Sequence, residues 1–245
     1  MRIAVAGGTG MLGHHVVEVA RRRGHDVVVL DLSEGVDLLK GSGLTGKLAC
    51  VDAVADVTST RTQRRAKAEA FFGTVTRNLL DAEVAAEVGH HIALSVVGVD
   101  VVPSGYYQGK LLQERIVMDG RVPWSIQRST QFHEFAEQVL DYARFGPFSL
   151  VPRMLSQPVA AVDVAELLLD LVESGPAGRV PELAGPERHQ MVDLSRRVSR
   201  ARGLARRVVP LHVPGALGKG MRSGALIPAA DGPRGRLTFA EWLDG

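Results

Sequence analysis

Cysteine is nearly missing from this chain of 245 residues: Cys50 stands alone, which excludes an intramolecular disulfide and a multi-cysteine metal cluster. Charge of one sign is missing too. Lys+Arg amounts to 29 against 27 for Asp+Glu, a net charge of +2, so no general field exists for gripping nucleic acid or an anionic membrane. Lysine is scarce, with only Lys40, Lys47, Lys67, Lys110 and Lys219. No apolar run approaches the ~18 residues that cross a bilayer. The apolar start, Met1 to Ala6, is broken by Gly7, Gly8, Gly10 and Gly13 and shows no signal-peptide cleavage pattern. A soluble cytoplasmic protein without membrane or nucleic-acid partners is the expectation. No repeat or low-complexity tract occurs. What is present, 45% hydrophobic and 23% charged residues, suits one large α/β domain or two small ones.

Ile3 to Ala6 reads as a buried strand. A glycine-rich turn follows, and then Leu12, Val16, Val19 and Ala20 share one helical face. Arg21, Arg22 and Arg23 crowd the last turn, where positive charge complements the helix dipole, and Gly24 is the stop. Val27 to Leu30 is the second strand. The alternation continues with a very short third strand at Val36-Asp-Leu, a fourth at Asp52 to Val57 and a fifth at Ile92 to Val96. Between the last two, Gln63 to Val88 reads as a helix with Phe71, Val75, Leu79 and Ala82 on one face. A helix from about Tyr107 to Met118 turns Leu111, Leu112 and Ile116 inward, and Trp124 to Gln127 is a sixth strand. This rhythm predicts an α/β fold, a Rossmann-like doubly wound parallel sheet over residues 1–130. Beyond it the pattern loosens. Asp163-Val-Ala-Glu166 reads as a capping box that opens a helix, and residues 131–245 read as a small C-terminal lobe that covers the substrate.

The run Gly7-Gly8-Thr9-Gly10-Met11-Leu12-Gly13 lies between the first strand and the first helix. A phosphate reaches backbone N–H groups there only if side chains are absent, and the helix N-terminus favours negative charge. The strand before and the amphipathic helix after supply the context that a dinucleotide fingerprint requires; a tight turn that binds nothing is the alternative. Asp31 ends the second strand, where a dinucleotide fold presents a carboxylate to the ribose hydroxyls and repels a 2′-phosphate. No arginine or lysine lies in the turn or directly after Asp31, so NAD(H) is favoured, with NADP(H) the alternative. Asp37 is placed to accept from the adenine amino group.

Ser95, Tyr106 and Lys110 form a second constellation. Tyr106 and Lys110 stand one helical turn apart and share a face, and an ammonium near a phenol draws its pKa down from ~10. Such a tyrosine exchanges a proton with a carbonyl or alcohol oxygen while hydride moves to or from nicotinamide. Ser95 ends the fifth strand, where its hydroxyl is placed to orient the same oxygen. The alternative has Tyr106 as a loop aromatic and Lys110 as a solvated charge or ribose ligand.

These residues resemble the short-chain dehydrogenase/reductase superfamily, in particular its atypical, NmrA-like branch. The resemblance runs through Gly7 to Gly13, Asn78-Leu-Leu-Asp-Ala, Leu94-Ser-Val-Val-Gly and Tyr106-Tyr-Gln-Gly-Lys110. It continues through Pro123-Trp-Ser-Ile-Gln-Arg128, Gln157-Pro-Val, Asp163-Val-Ala and Thr238-Phe-Ala-Glu-Trp-Leu. It implies a Rossmann-like fold that binds NAD or NADP, with Tyr106 as proton donor, Lys110 as partner of ribose and phenolate, and Ser95 as carbonyl orienter. It also implies cofactor contacts from Thr58, and from Thr130 and Phe132 in the segment against the nicotinamide, with Phe132 and His133 facing substrate. Many NmrA-like relatives carry an arginine after strand two for NADP, where this chain has Asp31-Leu32, and Asn78 stands at a different helix position from the asparagine of the full tetrad. Branch members that lost the tyrosine act as redox-sensing regulators; this chain keeps Tyr106. The resulting reading is an NAD(P)-dependent oxidoreductase of a small carbonyl or alcohol. A non-catalytic dinucleotide sensor and a nucleotide-sugar epimerase are its rivals.

Other candidates are weaker. Side chains of the adjacent pairs His14-His15 and His90-His91 diverge and do not share a metal. Arg196, Arg197, Arg200, Arg202, Arg206 and Arg207 have no aromatic interleaved and read as a solvated helix face. Cys50 reads as a buried small hydrophobe, and Phe132, Phe135, Phe145 and Phe148 as core. Neither the substrate nor the formation of a homo-oligomer is fixed by the sequence.

Overall fold

A computed structural model describes all 245 residues, which divide into two compact units. Residues 1–95, 104–128 and 164–180 form the first, and residues 96–103, 129–163 and 181–245 the second. Along the chain come β1 (Arg2–Ala6), α1 (Met11–Arg22), β2 (Asp26–Leu30), α2 (Leu44–Lys47), β3 (Ala53–Asp56), α3 (Arg65–Ala85) and β4 (His90–Val96). Then follow α4 (Gly105–Met118), β5 (Trp124–Ser129), α5 (Phe135–Tyr142), β6 (Arg144–Phe145), β7 (Phe148–Pro152) and β8 (Leu155–Ser156). The rest is α6 (Ala161–Ser174), β9 (Gly178–Arg179), β10 (His189–Gln190), α7 (Met191–Ala201), β11 (Arg207–Leu211), α8 (Gly215–Ser223) and α9 (Phe239–Asp244). No helix is long and apolar enough to cross a membrane.

The first unit is built on a six-stranded parallel sheet in the order β2-β1-β3-β4-β5-β9. Ile3, Ala4, Val5 and Ala6 are all fully buried, as a parallel strand covered on both faces requires. Ala4, Ala6, Val28, Leu30 and Val54 share one core with Val75 and Leu79 of α3, and Phe71 and Ala82 pack against it half-buried. The chain runs from β1 out to β2 and then returns to place β3 on the other side of β1. The crevice beyond the carboxyl ends of β1 and β3 is therefore a switch point, where open α/β sheets take ligands. Arg23, at the end of α1, binds Glu166, Asp170 and Glu173 of α6, so the basic turn clamps a helix as well as matching its own dipole.

Several expectations need correction. Val36-Asp-Leu adds no strand to the sheet: Asp37 makes one antiparallel bridge, to Ser42. Its carboxylate accepts from the amides of Leu39 and Lys40 at 3.0 and 3.2 Å, bending the chain at once, while Val36 packs into the core. The buried face of α4 is Gly109, Lys110, Gln113, Glu114 and Val117, and Leu111, Leu112 and Ile116 are only half-buried. Polar groups go inside because each finds a partner; Glu114 takes Arg128 in a two-pronged contact at 2.8 Å and Arg179 at 3.2 Å. Gly109 brings α4 against α3, where a Cβ would stand 2.8 Å from Ala68. Asp163 does not cap α6, which starts earlier; its carboxylate accepts the amides of Arg236 and Leu237. A capping box forms instead at α9, between Thr238 and Glu241.

In the second unit α5 and α7 pack on the three-stranded sheet β11-β7-β6. Its aromatic cluster is Phe239 with His133, His189 and Trp242. Phe145 is 81% exposed and Phe148 is exposed as well, so the pair does not build core: both sit on a short hairpin between β6 and β7. Cys50 is exposed and takes a left-handed backbone, φ 58, because the loop turns there before entering β3.

Both histidines of the pair at the start of β4 are buried. His91 Nδ1 meets the Glu83 carboxylate at 2.9 and 3.0 Å with neither side chain exposed. Burial alone would push the His91 pKa down, but the charges of Glu83 and Asp56 outweigh it and raise it. Glu83→Gln strips a buried imidazolium of its counter-charge and is expected to cost about 3–5 kcal/mol in urea unfolding. A raised histidine pKa contributes stability fully below the unfolded value of ~6.5 and loses it as pH rises through the folded one. The gap between wild type and Glu83→Gln should therefore be widest near pH 6, as an order-of-magnitude position, and narrow at alkaline pH. Separately, native protein should react with a thiol reagent at Cys50 at a rate that denaturant raises little.

Candidate dinucleotide and catalytic site

The turn after β1 is a cradle that side chains would fill. Gly7 is left-handed, φ 80, and a Cβ on it would stand 3.2 Å from the Thr58 backbone. On Gly8 it would press on Val29 at 3.0 Å, and on Gly13 it would fall 2.0 Å from the Gly7 carbonyl. Met11, Leu12 and Gly13 open α1, whose N-cap Gly10 offers no side-chain cap and whose first turn holds no acid. The N–H groups of that terminus and its partial positive charge are what an anionic group would use. Thr9 Oγ1 donates to Asp31 Oδ2 at 2.6 Å, so the carboxylate at the end of β2 leans on the turn. Asp37 belongs to its own bend. Desolvation works to raise its carboxyl, yet the Lys40 and Leu39 amides and the Lys40 ammonium hold it below the ordinary value.

The ends of β3 and β4 carry the polar groups. Asp56, fully buried, accepts from the Thr58 amide at 2.9 Å and the Thr58 hydroxyl at 2.6 Å on one oxygen, and from Gln113 Nε2 at 2.7 Å on the other. Lys110 Nζ donates to the carbonyls of Thr58 and Leu94 at 3.1 and 3.0 Å and to Gln113 Oε1 at 2.9 Å. Its face toward Phe72 lies 4.4 Å from the ring centre. Burial pushes this ammonium down to about 8, against the opposing pull of Asp56 and Glu114. Tyr106, one turn earlier on α4, packs edge-on to Phe72 and brings its hydroxyl to 3.0 Å from Ser59 Oγ. Ser95, near the end of β4, is 2% exposed, and its hydroxyl is buried without a hydrogen-bond partner.

Among the predicted residues of the first unit, Gly7 packs close to Thr58, Thr58 and Leu94 share Lys110, and Ser95 is the residue after Leu94, while Asp37 stands apart. The expected ammonium–phenol pair takes another form, since the three N–H groups of Lys110 go to two backbone carbonyls and Gln113. In the second unit, Thr130 is tied to Gln157 O and Leu183 O, and half-buried Phe132 bridges Val159. His133 is buried, with its ring against Phe239 and Trp242 and its Nε2 at 3.1 Å from the Leu237 carbonyl. It is a core residue, and desolvation lowers its pKa. Asn78 donates to the carbonyls of Leu38 and Leu39 and holds that loop. Sequence reasoning missed Asp56, Ser59 and Gln113. Gln113 stands three residues past Lys110, a spacing that puts them on one face; Ser59 carried no comparable signal.

Comparison with known proteins bears on the fold. Residues 3–98 match the NAD dependent epimerase/dehydratase family. No curated protein sequence matches. An NADPH-dependent quinone oxidoreductase from Escherichia coli, complexed with NADPH, is 20% identical, superposes with a TM-score of 0.73 and shares 99% of this chain and 98% of its own. A short-chain dehydrogenase/reductase superfamily protein from Agrobacterium tumefaciens with bound NAD is 20% identical, with TM-score 0.72 over 100% and 95% of the two chains. A UDP-glucose 4-epimerase from Thermus thermophilus in complex with NAD is 20% identical, with TM-score 0.67 over 100% and 99%. At that identity the fold is what is shared. This chain shares the Rossmann-like α/β fold of these proteins.

The close approach at Gly13 is testable without a ligand. Gly13→Ala sets a methyl against backbone and should destabilise the protein by about 1–3 kcal/mol in calorimetry.

Proposed function

We propose that the chain is an NAD(P)-dependent oxidoreductase that interconverts a carbonyl and an alcohol, with Tyr106 as general acid and base. The observation that carries this reading is the single sheet edge on which a side-chain-free phosphate cradle adjoins a half-buried phenol and a buried, unpartnered serine hydroxyl. The glycine turn and the start of α1 would hold the pyrophosphate, and Asp31 the ribose hydroxyls, which favours NAD(H) over NADP(H) because a 2′-phosphate would meet its charge. A bound nicotinamide supplies or receives the hydride. Tyr106 donates its proton to the oxygen of a carbonyl undergoing reduction and takes one from an alcohol undergoing oxidation. Ser95 Oγ has a proton free to give, and a polar group buried without a partner is costly enough to need a reason; we assign it to hold the substrate oxygen.

The quinone oxidoreductase and the epimerase named above both support hydride chemistry on this fold, and the family match supports the dinucleotide. Tyr106→Phe should keep NADH binding and lower kcat by about 10²–10⁴ across a carbonyl and quinone panel. A wild type that binds NADH yet turns over no carbonyl, quinone or alcohol would favour the sensor reading, and a sugar nucleotide returned as its epimer would favour the epimerase. In fluorescence titrations NADH should bind tighter than NADPH, and Asp31→Ala should narrow the difference. A wild type that prefers NADPH defeats the role given to Asp31.

A further inference from the structure

The phenol that moves the proton has to be recharged, and the ammonium one turn along its own helix is engaged elsewhere. Lys110 donates its three N–H groups to Thr58 O, Leu94 O and Gln113 Oε1. The Tyr106 hydroxyl has instead Ser59 Oγ at 3.0 Å, and Ser59 is exposed to solvent. The residue before it is held on every polar atom: the Thr58 amide and hydroxyl by Asp56, its carbonyl by Lys110. Gln113 joins the two holders, accepting from Lys110 and donating to Asp56. Phe72 fixes the ring, meeting Tyr106 edge-on at 5.5 Å between centroids. The charged groups here are Lys110 on α4 and Asp56 at the end of β3, coupled through Gln113.

We propose that Ser59 is the proton relay of Tyr106, set in place by the hydrogen bonds that fix Thr58, the residue before it. The proposal deepens the oxidoreductase reading and rests on it. In the direction of reduction the Tyr106 O–H bond breaks as its proton goes to the oxygen of the carbonyl that receives hydride. The Ser59 O–H passes its proton to the phenolate in concert with uptake of one from solvent by Ser59 Oγ, so no serine alkoxide forms. One proton per turnover comes from bulk water, and no other reactant is needed. Oxidation of an alcohol runs the same chain outward.

The chain has three tyrosines, so in a Tyr107→Phe, Tyr142→Phe background the near-ultraviolet phenolate band reports Tyr106 alone, with neither substrate nor cofactor present. Ser59→Ala is expected to raise the phenol pKa by about half to one unit, since a hydroxyl that donates to the phenolate favours the charged form. Ser59→Thr should restore it. Lys110→Gln should raise it as well, because an ammonium hydrogen-bonded to carbonyls keeps its charge, and should lower the thermal midpoint, which Ser59→Ala should not. With NADH and a reducible carbonyl, Ser59→Ala should lower kcat about tenfold at unchanged KM, an effect toward the low end of proton-transfer catalysis, and Ser59→Thr should recover it. An unmoved phenol in Ser59→Ala, or no recovery in Ser59→Thr, overturns the relay. A wild type without turnover would count against the oxidoreductase reading, while the titration would still uphold or overturn the coupling of Tyr106 to Ser59.

Discussion

One buried ammonium holds the working edge of the sheet together. Lys110 ties together the carbonyl of Thr58, two residues past β3, and that of Leu94 within β4. Placing a charge there is expensive, as the depressed pKa of about 8 records. The cost is offset by a chain of compensating groups: Asp56 through Gln113 on one side, and Glu114 with Arg128 and Arg179 on the other. Fully satisfied polar networks of this kind rigidify what they connect, whereas losing one member leaves a stranded charge. This explains why α4 turns its polar residues inward.

Around that strut the binding and reacting groups fall into place. Gly7 approaches the Thr58 backbone closely, so the glycine turn and the loop after β3 are packed together. The same loop presents Ser59 to Tyr106. The strand that delivers Leu94 to Lys110 delivers Ser95 next, with its hydroxyl unpaired. The binding and proton-transfer roles we propose thus share one set of hydrogen bonds rather than two independent ones.

The α/β alternation was legible because parallel strands and their helices write strong patterns: Ile3 to Ala6, Val27 to Leu30 and the face Phe71, Val75, Leu79 and Ala82 all appear where periodicity puts them. Patterns failed where tertiary partners overrule them. The apolar residues of α4 gave way to Lys110, Gln113 and Glu114, whose partners lie up to 65 residues away. Val36 and Leu38 looked like a strand because they are apolar, yet an Asx turn at Asp37 bends them out of the ladder. Tyr106, Lys110 and Ser95 could be read from spacing, but the direction of the Lys110 ammonium could not, since backbone carbonyls leave no mark in a sequence. Phe145 and His133 show the same limit in opposite senses, one exposed on a hairpin tip and the other enclosed by Phe239 and Trp242.

The contact between Thr9 and Asp31 has a practical side. The carboxylate we assign to the ribose also braces the glycine turn, at 2.6 Å from the Thr9 hydroxyl. Swapping Asp31 alone would hand that hydroxyl to water and slacken the turn, so engineering toward a phosphorylated ribose should replace the two positions as a pair.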